Sequence, residues 1–372
     1  MTAPRSDVFA ELIGGPVSRV DTPAALLDLD LFDRNAAHLH RYLAEHGRTW
    51  RPHAKAHKSP ELARRQMEVG AVGVTCAKLS EAEVMVAGGI RDVLIANQLG
   101  TLAKWQRAAA LQRDAHVIVC VDDPVHLRWA ANAALAADVA IPLFIEVDVG
   151  MRRAGVTSDQ DAVTLAAAIT ATPGIELAGL MGYEGHLPAV WPWAEKVSRC
   201  ADALGRLISA VRAVRAAGYP VDIVSSGGTG TFEATADLPV LTECQAGGGC
   251  MMDRFYEEEC HVDLAPALTL LTTTISVRPA GRAVVDAGFK ALGRLSGFPL
   301  PRVLGRPGVT VAALSAEHGT LALGEDALHV GDQVHLVPSY SDGMLFLHDH
   351  LIGHRKGLVT DIIALLARGR LT

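Results

Sequence analysis

The stretch Arg51-Pro-His-Ala-Lys-Ala-His-Lys58 gathers two lysines, Lys55 and Lys58, and two histidines, His53 and His57, within six residues. It closes a short strand-like run, Thr49 to Ala54. A lysine crowded by other cations has its charged form disfavoured, so its amine becomes available as a nucleophile. That is the chemistry needed for a Schiff base with an aldehyde cofactor. A basic surface turn is the plain alternative.

Two glycine-rich segments bear on the choice. Ser226-Gly-Gly-Thr-Gly230 and Gln245-Ala-Gly-Gly-Gly249 each follow an apolar run. Glycines let backbone N–H groups approach an anion closely, and Ser or Thr hydroxyls add donors. Either segment alone reads equally as a tight turn. A nucleophilic lysine and two phosphate-type loops together point to pyridoxal phosphate.

These groups need a frame. Short apolar runs lie at 49–54, 73–77, 92–97, 116–122, 142–149, 177–183, 222–227 and 241–247. Helical stretches such as Pro60 to Val69, Leu79 to Ala87, Leu102 to Gln112 and Trp193 to Ala217 separate most of them. Eight strands alternating with helices suggest a (β/α)8 barrel, with a doubly wound open sheet as the alternative. No Gly-x-Gly-x-x-Gly opens a helix after the first strand, which argues against dinucleotide binding. In a barrel, catalytic groups sit at the C-terminal strand ends, and phosphate sites often follow strands seven and eight. Both glycine segments fall there. The other strand ends supply Lys78, Asn97-Gln98, Glu146 to Arg153, and Tyr183-Glu184-Gly-His186.

Beyond residue 265 the pattern becomes β. Leu268–Pro279, Ala283–Asp286, Val309–Leu314, Leu321–Leu323 and Gln333–Pro338 are separated by Gly and Pro turns. The expected organisation is a barrel over residues 25–265, with residues 1–24 and 266–372 forming a β domain. The early run Ala24–Leu29 is a candidate strand of that second domain.

Composition supports a large packed chain: 49% of its 372 residues are hydrophobic. The net charge of -7 argues against a nucleic-acid partner. No apolar run is long enough to span a bilayer, and Met1 to Gly15 lacks a secretion-signal core. The six cysteines show no zinc spacing, so buried free thiols in a reducing cytoplasm are expected. Trp105 and His40 are read as helix residues facing neighbours or solvent, and Glu257-Glu-Glu259 as a solvated face.

The chain resembles the D-threonine aldolase and D-serine dehydratase family, fold-type III pyridoxal enzymes related to alanine racemase. The resemblance rests on Arg51 to Pro60, Glu146-Val-Asp-Val-Gly150, Gly227-Gly-Thr-Gly230, Gln245-Ala-Gly247 and Asp286-Ala-Gly-Phe-Lys290. Glu317-His-Gly319 and Leu347-His-Asp349 extend it into the second domain. It implies that Lys55, not Lys58, is the Schiff-base lysine. It places Arg153 near the cofactor's phenolic oxygen and Tyr183 beside the pyridine nitrogen. Ser226, Gly228, Thr229, Gln245, Gly247 and Gly248 become cofactor contacts. It also implies a homodimer and a small-molecule amino-acid substrate.

The family usually adds a divalent metal (Mn, Mg or Zn) on a His-x-Asp or His-x-Cys pair of the β domain. The matching text here is Tyr340-Ser-Asp342. Asp342 is present, but a neutral phenol replaces the imidazole and is a poor ligand. Tyr340 could instead act as a second acid–base group alongside Lys55, if its pKa fell well below the usual ~10. A second departure is Tyr183-Glu184-Gly, where many aldolases carry Tyr-His-Gly. The implied activity is retro-aldol cleavage of a D-β-hydroxy amino acid to glycine and an aldehyde. The alternatives are β-elimination of the dehydratase kind, or racemisation through Lys55 and Tyr340.

Overall fold

A computed structural model describes residues 11–372. Residues 1–10, part of the stretch read for a secretion signal, lie outside the described residues. The chain divides into two compact units. One comprises residues 37–55, 60–247 and 369–372; the other comprises residues up to 36, 56–59 and 248–368.

The first unit is an all-parallel barrel. Its strands, after the early strand β1 (Ala24–Asp28), are β2 (Thr49–Trp50), β3 (Val74–Cys76), β4 (Asp92–Ile95), β5 (His116–Val121), β6 (Ile141–Glu146), β7 (Ile175–Met181), β8 (Ile223–Ser226) and β9 (Glu243–Cys244). They pair in the order β2-β9-β8-β7-β6-β5-β4-β3. The two ends meet where His53 bridges Thr75 in parallel and the Thr75 N–H donates to the Pro52 carbonyl at 2.9 Å. Strands covered by helices on one face and packed inside on the other must be apolar throughout. Ile141–Glu146 is buried at every position. Leu94, Ile118, Cys120, Phe144 and Met181 form one interior cluster.

The helices start where the sequence can cap them. Asp123 accepts the Val125 N–H at 2.7 Å at the head of the helix Pro124–Ala137, whose proline needs no donor there. Ser158 accepts the Asp161 N–H before Asp159–Ala171. The helix Leu102–Leu111 buries Trp105, whose indole N–H donates to Leu99 at 2.8 Å.

The second unit is mostly β. It contains β1 and β10 (Leu268–Arg278), β11 (Arg282–Val285), β12 (Arg302–Val303), β13 (Thr310–Leu314), β14 (Gly319–Ala322), β15 (Gln333–Val337), β16 (His350–Arg355) and β17 (Leu358–Ala364). The order is β13-β14-β11-β10-β1-β16-β17, with β15 pairing both β10 and β12. β1 runs antiparallel to β10 and parallel to β16, placing Leu26 opposite Thr269 and Ile352. Val20, Leu26, Leu271, Ile352 and Val359 pack together beneath them. Asp286 ties the entry: its carboxylate accepts Thr22 Oγ1 at 2.6 Å and the Thr273 N–H at 2.8 Å.

All six cysteines are free and buried. The Glu257-Glu-Glu259 run is a partly solvated face, with Glu259 exposed and Glu257 and Glu258 half-buried. It lies in a π-helical turn, Phe255–Glu259, where Glu257 pairs with Arg302 and Glu258 accepts from Arg254 at 2.7 Å.

Candidate active site

The barrel's chemistry lies beyond the C-terminal ends of its strands. Lys55 sits in a single 3-10 turn, Ala54–Ala56, and its backbone N–H donates to His53 Nδ1 at 3.2 Å. Lys58 is a different kind of residue. It is buried, holds a left-handed φ of 51°, and its carbonyl accepts the Ala367 N–H within the β unit. The turn is braced from below by Arg51, whose Nε donates to Glu243 at 2.8 Å and whose Nη1 pairs with Asp92. Glu243 also accepts Ser225 Oγ at 2.8 Å, and that hydroxyl accepts from Gln245 Nε2 at 3.0 Å. A buried polar chain therefore joins the lysine turn to the strand ends carrying the glycine loops.

The glycine loops approach their neighbours too closely for any larger residue. A Cβ on Gly247 would lie 2.4 Å from the His53 carbonyl oxygen, two residues before Lys55. A Cβ on Gly228 would lie 3.0 Å from the Tyr183 ring. Gly227 takes a left-handed φ of 83° to turn the loop out of β8. Thr229 and Ser226 are buried within it. The lysine turn is thus packed against Gly247, and Tyr183 against Gly228.

Arg153 lies with its guanidinium carbon 5.9 Å from the Tyr183 ring centroid, within cation–π range. It also reaches Glu146 at 3.5 Å, and Gln98 Nε2 donates to the same carboxylate at 2.6 Å. Burial pushes the Glu146 carboxyl up, against the pull of Gln98 and Arg153. Asn97 Nδ2 donates to the Ala77 carbonyl at 2.8 Å, tying the ends of β3 and β4.

Glu184 has a role that its place in the sequence does not announce. It is fully buried, accepts Ser226 Oγ at 2.8 Å and accepts the Thr231 hydroxyl. Thr231 Oγ1 in turn accepts the Gly228 N–H at 3.1 Å. Lys196, also buried, donates to the Gly230 carbonyl at 3.2 Å. The loop is fastened from behind by a carboxylate and an ammonium supplied by elements before and within the helix Trp193–Ala216. An acidic residue amid small and apolar neighbours was the one signal in the sequence.

Three of the residues singled out in the sequence belong to the β unit. Gly248 opens a 3-10 turn there, Gly248–Cys250. Tyr340 donates its hydroxyl to Asp342 Oδ2 at 3.0 Å. Its ring is packed by Phe255, Tyr256 and Phe298 at centroid distances of 5.9, 5.9 and 5.1 Å. Beneath it Asp253 is buried, accepting the Ser341 N–H at 2.7 Å and the Tyr256 N–H at 2.9 Å. Burial pushes the Asp253 carboxyl up to about 7, against the pull of those N–H groups.

An eight-stranded parallel barrel with a lysine turn and two glycine loops at its strand ends defines the alanine racemase class of barrel. The alanine racemase N-terminal domain matches residues 27–254, and a serine dehydratase domain matches residues 267–353. A D-threonine aldolase from Arthrobacter sp is 37% identical over 361 residues, 96% of this chain and 95% of that one. A 3-hydroxy-D-aspartate aldolase from Paracoccus denitrificans is 35% identical, again over 96% of this chain and 95% of that protein. The crystal structure of D-threonine aldolase from Filomicrobium marinum superposes with a TM-score of 0.93 at 36% identity, covering 97% of this chain and 99% of that one. The chain belongs to the D-threonine aldolase and D-serine dehydratase family of alanine-racemase-like proteins. Fold and relatives together imply pyridoxal phosphate.

Glu184 provides a direct test of the glycine loop. Glu184→Gln replaces one acceptor oxygen by a donor and leaves a buried hydroxyl mismatched, at about 1–3 kcal/mol. Pyridoxal phosphate is expected to bind on the order of tenfold more weakly, read by equilibrium dialysis, since 1.4 kcal/mol is a factor of ten in Kd. Unchanged affinity in a folded variant would show that the loop does not depend on this carboxylate.

Proposed function

We propose that this protein is a pyridoxal-phosphate-dependent carbon–carbon lyase that cleaves D-β-hydroxy amino acids to glycine and an aldehyde. The observation that carries the reading is the lysine turn pressed against Gly247, with Tyr183 pressed against Gly228, in a chain whose relatives are aldolases. When bound, the cofactor supplies the sink for the electron pair of the broken Cα–Cβ bond. Lys55 would hold it through its side-chain amine. Ser226, Gly228, Thr229, Gln245, Gly247 and Gly248 would hold its phosphate. Arg153 sets the charge near its phenolic oxygen. Tyr183, a neutral phenol, leaves the pyridine nitrogen largely unprotonated, so the protein's own acid–base groups must help break the bond. Lys55 and Tyr340 are the two residues proposed to move protons, and the protein is proposed to work as a homodimer.

Dehydration is the second reading, favoured by the serine dehydratase match over residues 267–353. Product analysis separates them. Pure, cofactor-loaded protein given D-threonine in D₂O is expected to release glycine and acetaldehyde in equal amounts. Ammonia and 2-oxobutanoate would replace the aldolase reading by the dehydratase one. Intact threonine carrying deuterium at Cα, with inverted configuration, would replace it by racemisation.

A further inference from the structure

The divalent-metal pair implied for this family does not fit the residues present. Its positions are Tyr340 and Asp342. A neutral phenol is a poor ligand for these ions, and the Tyr340 hydroxyl is turned to Asp342, donating to its Oδ2 at 3.0 Å. That hydrogen bond ties up Oδ2 of the carboxylate. The phenol is also not free to swing away, because Phe255, Tyr256 and Phe298 enclose its ring. Nearby in sequence, His348 is anchored through its Nε2, 2.7 Å from the Ala291 carbonyl. Among the described residues no cluster of three or more His, Cys, Asp or Glu side chains is arranged to hold a metal ion.

We infer that this chain has exchanged its family's metal seat for a hydrogen-bonded phenol–carboxylate pair, Tyr340 with Asp342, and that this seat takes no divalent cation. The exchange turns a Lewis-acid position into a proton-holding one. The phenol hydroxyl lends its hydrogen to the carboxylate beside it in a 3.0 Å hydrogen bond. Imidazole is neutral and basic at neutral pH and would bind Mn²⁺ or Zn²⁺ where the phenol does not. The inference rests on family membership and on the geometry of the β unit, not on which substrate bond is broken, so the product assay above can fail without touching it.

The test is a Mn²⁺ titration of the chelator-stripped full chain, followed by the electron paramagnetic resonance signal of free Mn²⁺. The wild-type protein is expected to show no saturable uptake below about 1 mM, the weak end of carboxylate sites. Tyr340→His rebuilds a His-x-Asp pair and is expected to take up one equivalent at least ~tenfold more tightly. Tyr340→Phe removes the phenol proton without adding a ligand and is expected to remain as weak as wild type. Wild-type uptake of one equivalent that is lost in Asp342→Asn would overturn the inference, and this comparison stands even if the histidine variant does not fold. A folded Tyr340→His chain that still takes up no Mn²⁺ would also overturn it, by showing that the phenol is not what closed the seat.

Discussion

Lys55→Ala is expected to emerge from dialysis colourless and inactive. The visible absorbance of a covalently held pyridoxal cofactor should disappear. Turnover of D-threonine should fall by at least ~10²–10⁴-fold, the usual loss when a positioned acid–base group is removed. The fold should survive. The turn is held by backbone bonds, Lys55 N–H to His53 Nδ1 and Thr75 N–H to Pro52, and alanine preserves both. Far-ultraviolet circular dichroism should therefore match wild type. Lys58→Ala is the necessary contrast. Lys58 is buried and its left-handed backbone costs alanine no more than lysine, so stability should drop only modestly, through lost side-chain packing, while the covalent cofactor remains. A colourless Lys58→Ala beside a coloured Lys55→Ala would move the role to the second lysine.

The largest stability effect should come from beneath that turn. Arg51 and Glu243 are almost fully buried, and Arg51 is shared between Glu243 and Asp92. Burial alone would lower the Arg51 pKa, but the two carboxylates more than offset it, so the charge is retained. Arg51→Met strands Glu243 as an uncompensated buried charge, at about 3–5 kcal/mol. The urea midpoint should fall accordingly. The double variant Arg51→Met/Glu243→Met should recover most of the loss, because an apolar pair of similar volume needs no partner. A single variant losing under about 1 kcal/mol would show that water or rearrangement relieves the charge. The Asp92 share of this stability has a sign in pH. Burial pushes its carboxyl up, but His116 and Arg51 together hold it below the usual carboxylate range. Its contribution is therefore complete above about pH 4 and is lost as the pH falls through the lower folded value.

The barrel was legible in the sequence because its strands cannot hide. A strand buried on both faces is a continuous apolar run, and His116–Val121 and Ile141–Glu146 stand out for that reason. The helices Pro60–Val69 and Leu79–Ala87 fall where the stretches between the apolar runs place them. β16 and β17 did not stand out. His350-Leu-Ile-Gly-His-Arg355 mixes polar residues with a glycine, and its partner is defined by pairing rather than by pattern. At the site, Lys55, Tyr183 and the two glycine loops were legible because their residue types are unusual at strand ends. What supports them was not. Arg51 and Glu243 are 192 residues apart, and Ser226 and Glu184 are 42 apart. Periodicity reports a residue's own face, not its distant partner. The ion pairs of Glu257 and Glu258 were missed for the same reason, since three acidic residues in a row look solvated until Arg302 and Arg254 are placed beside them.

The β unit is assembled from the two flanks of the chain, and this has a consequence for biosynthesis. β1 has no sheet neighbour until β10 and β16 exist. Thr22 and Thr273, which hydrogen-bond at its mouth, are 251 residues apart. At a ribosomal rate of ~5–20 residues per second, that separation is roughly 13 to 50 s of elongation. During that interval the parallel barrel strands can find one another in order, while Leu26 and Leu27, completely buried in the finished protein, have nothing to pair with. An unpaired apolar edge is where chains associate wrongly. The segment most exposed to aggregation during synthesis is therefore the first strand made, far in sequence from both strands that will pair with it.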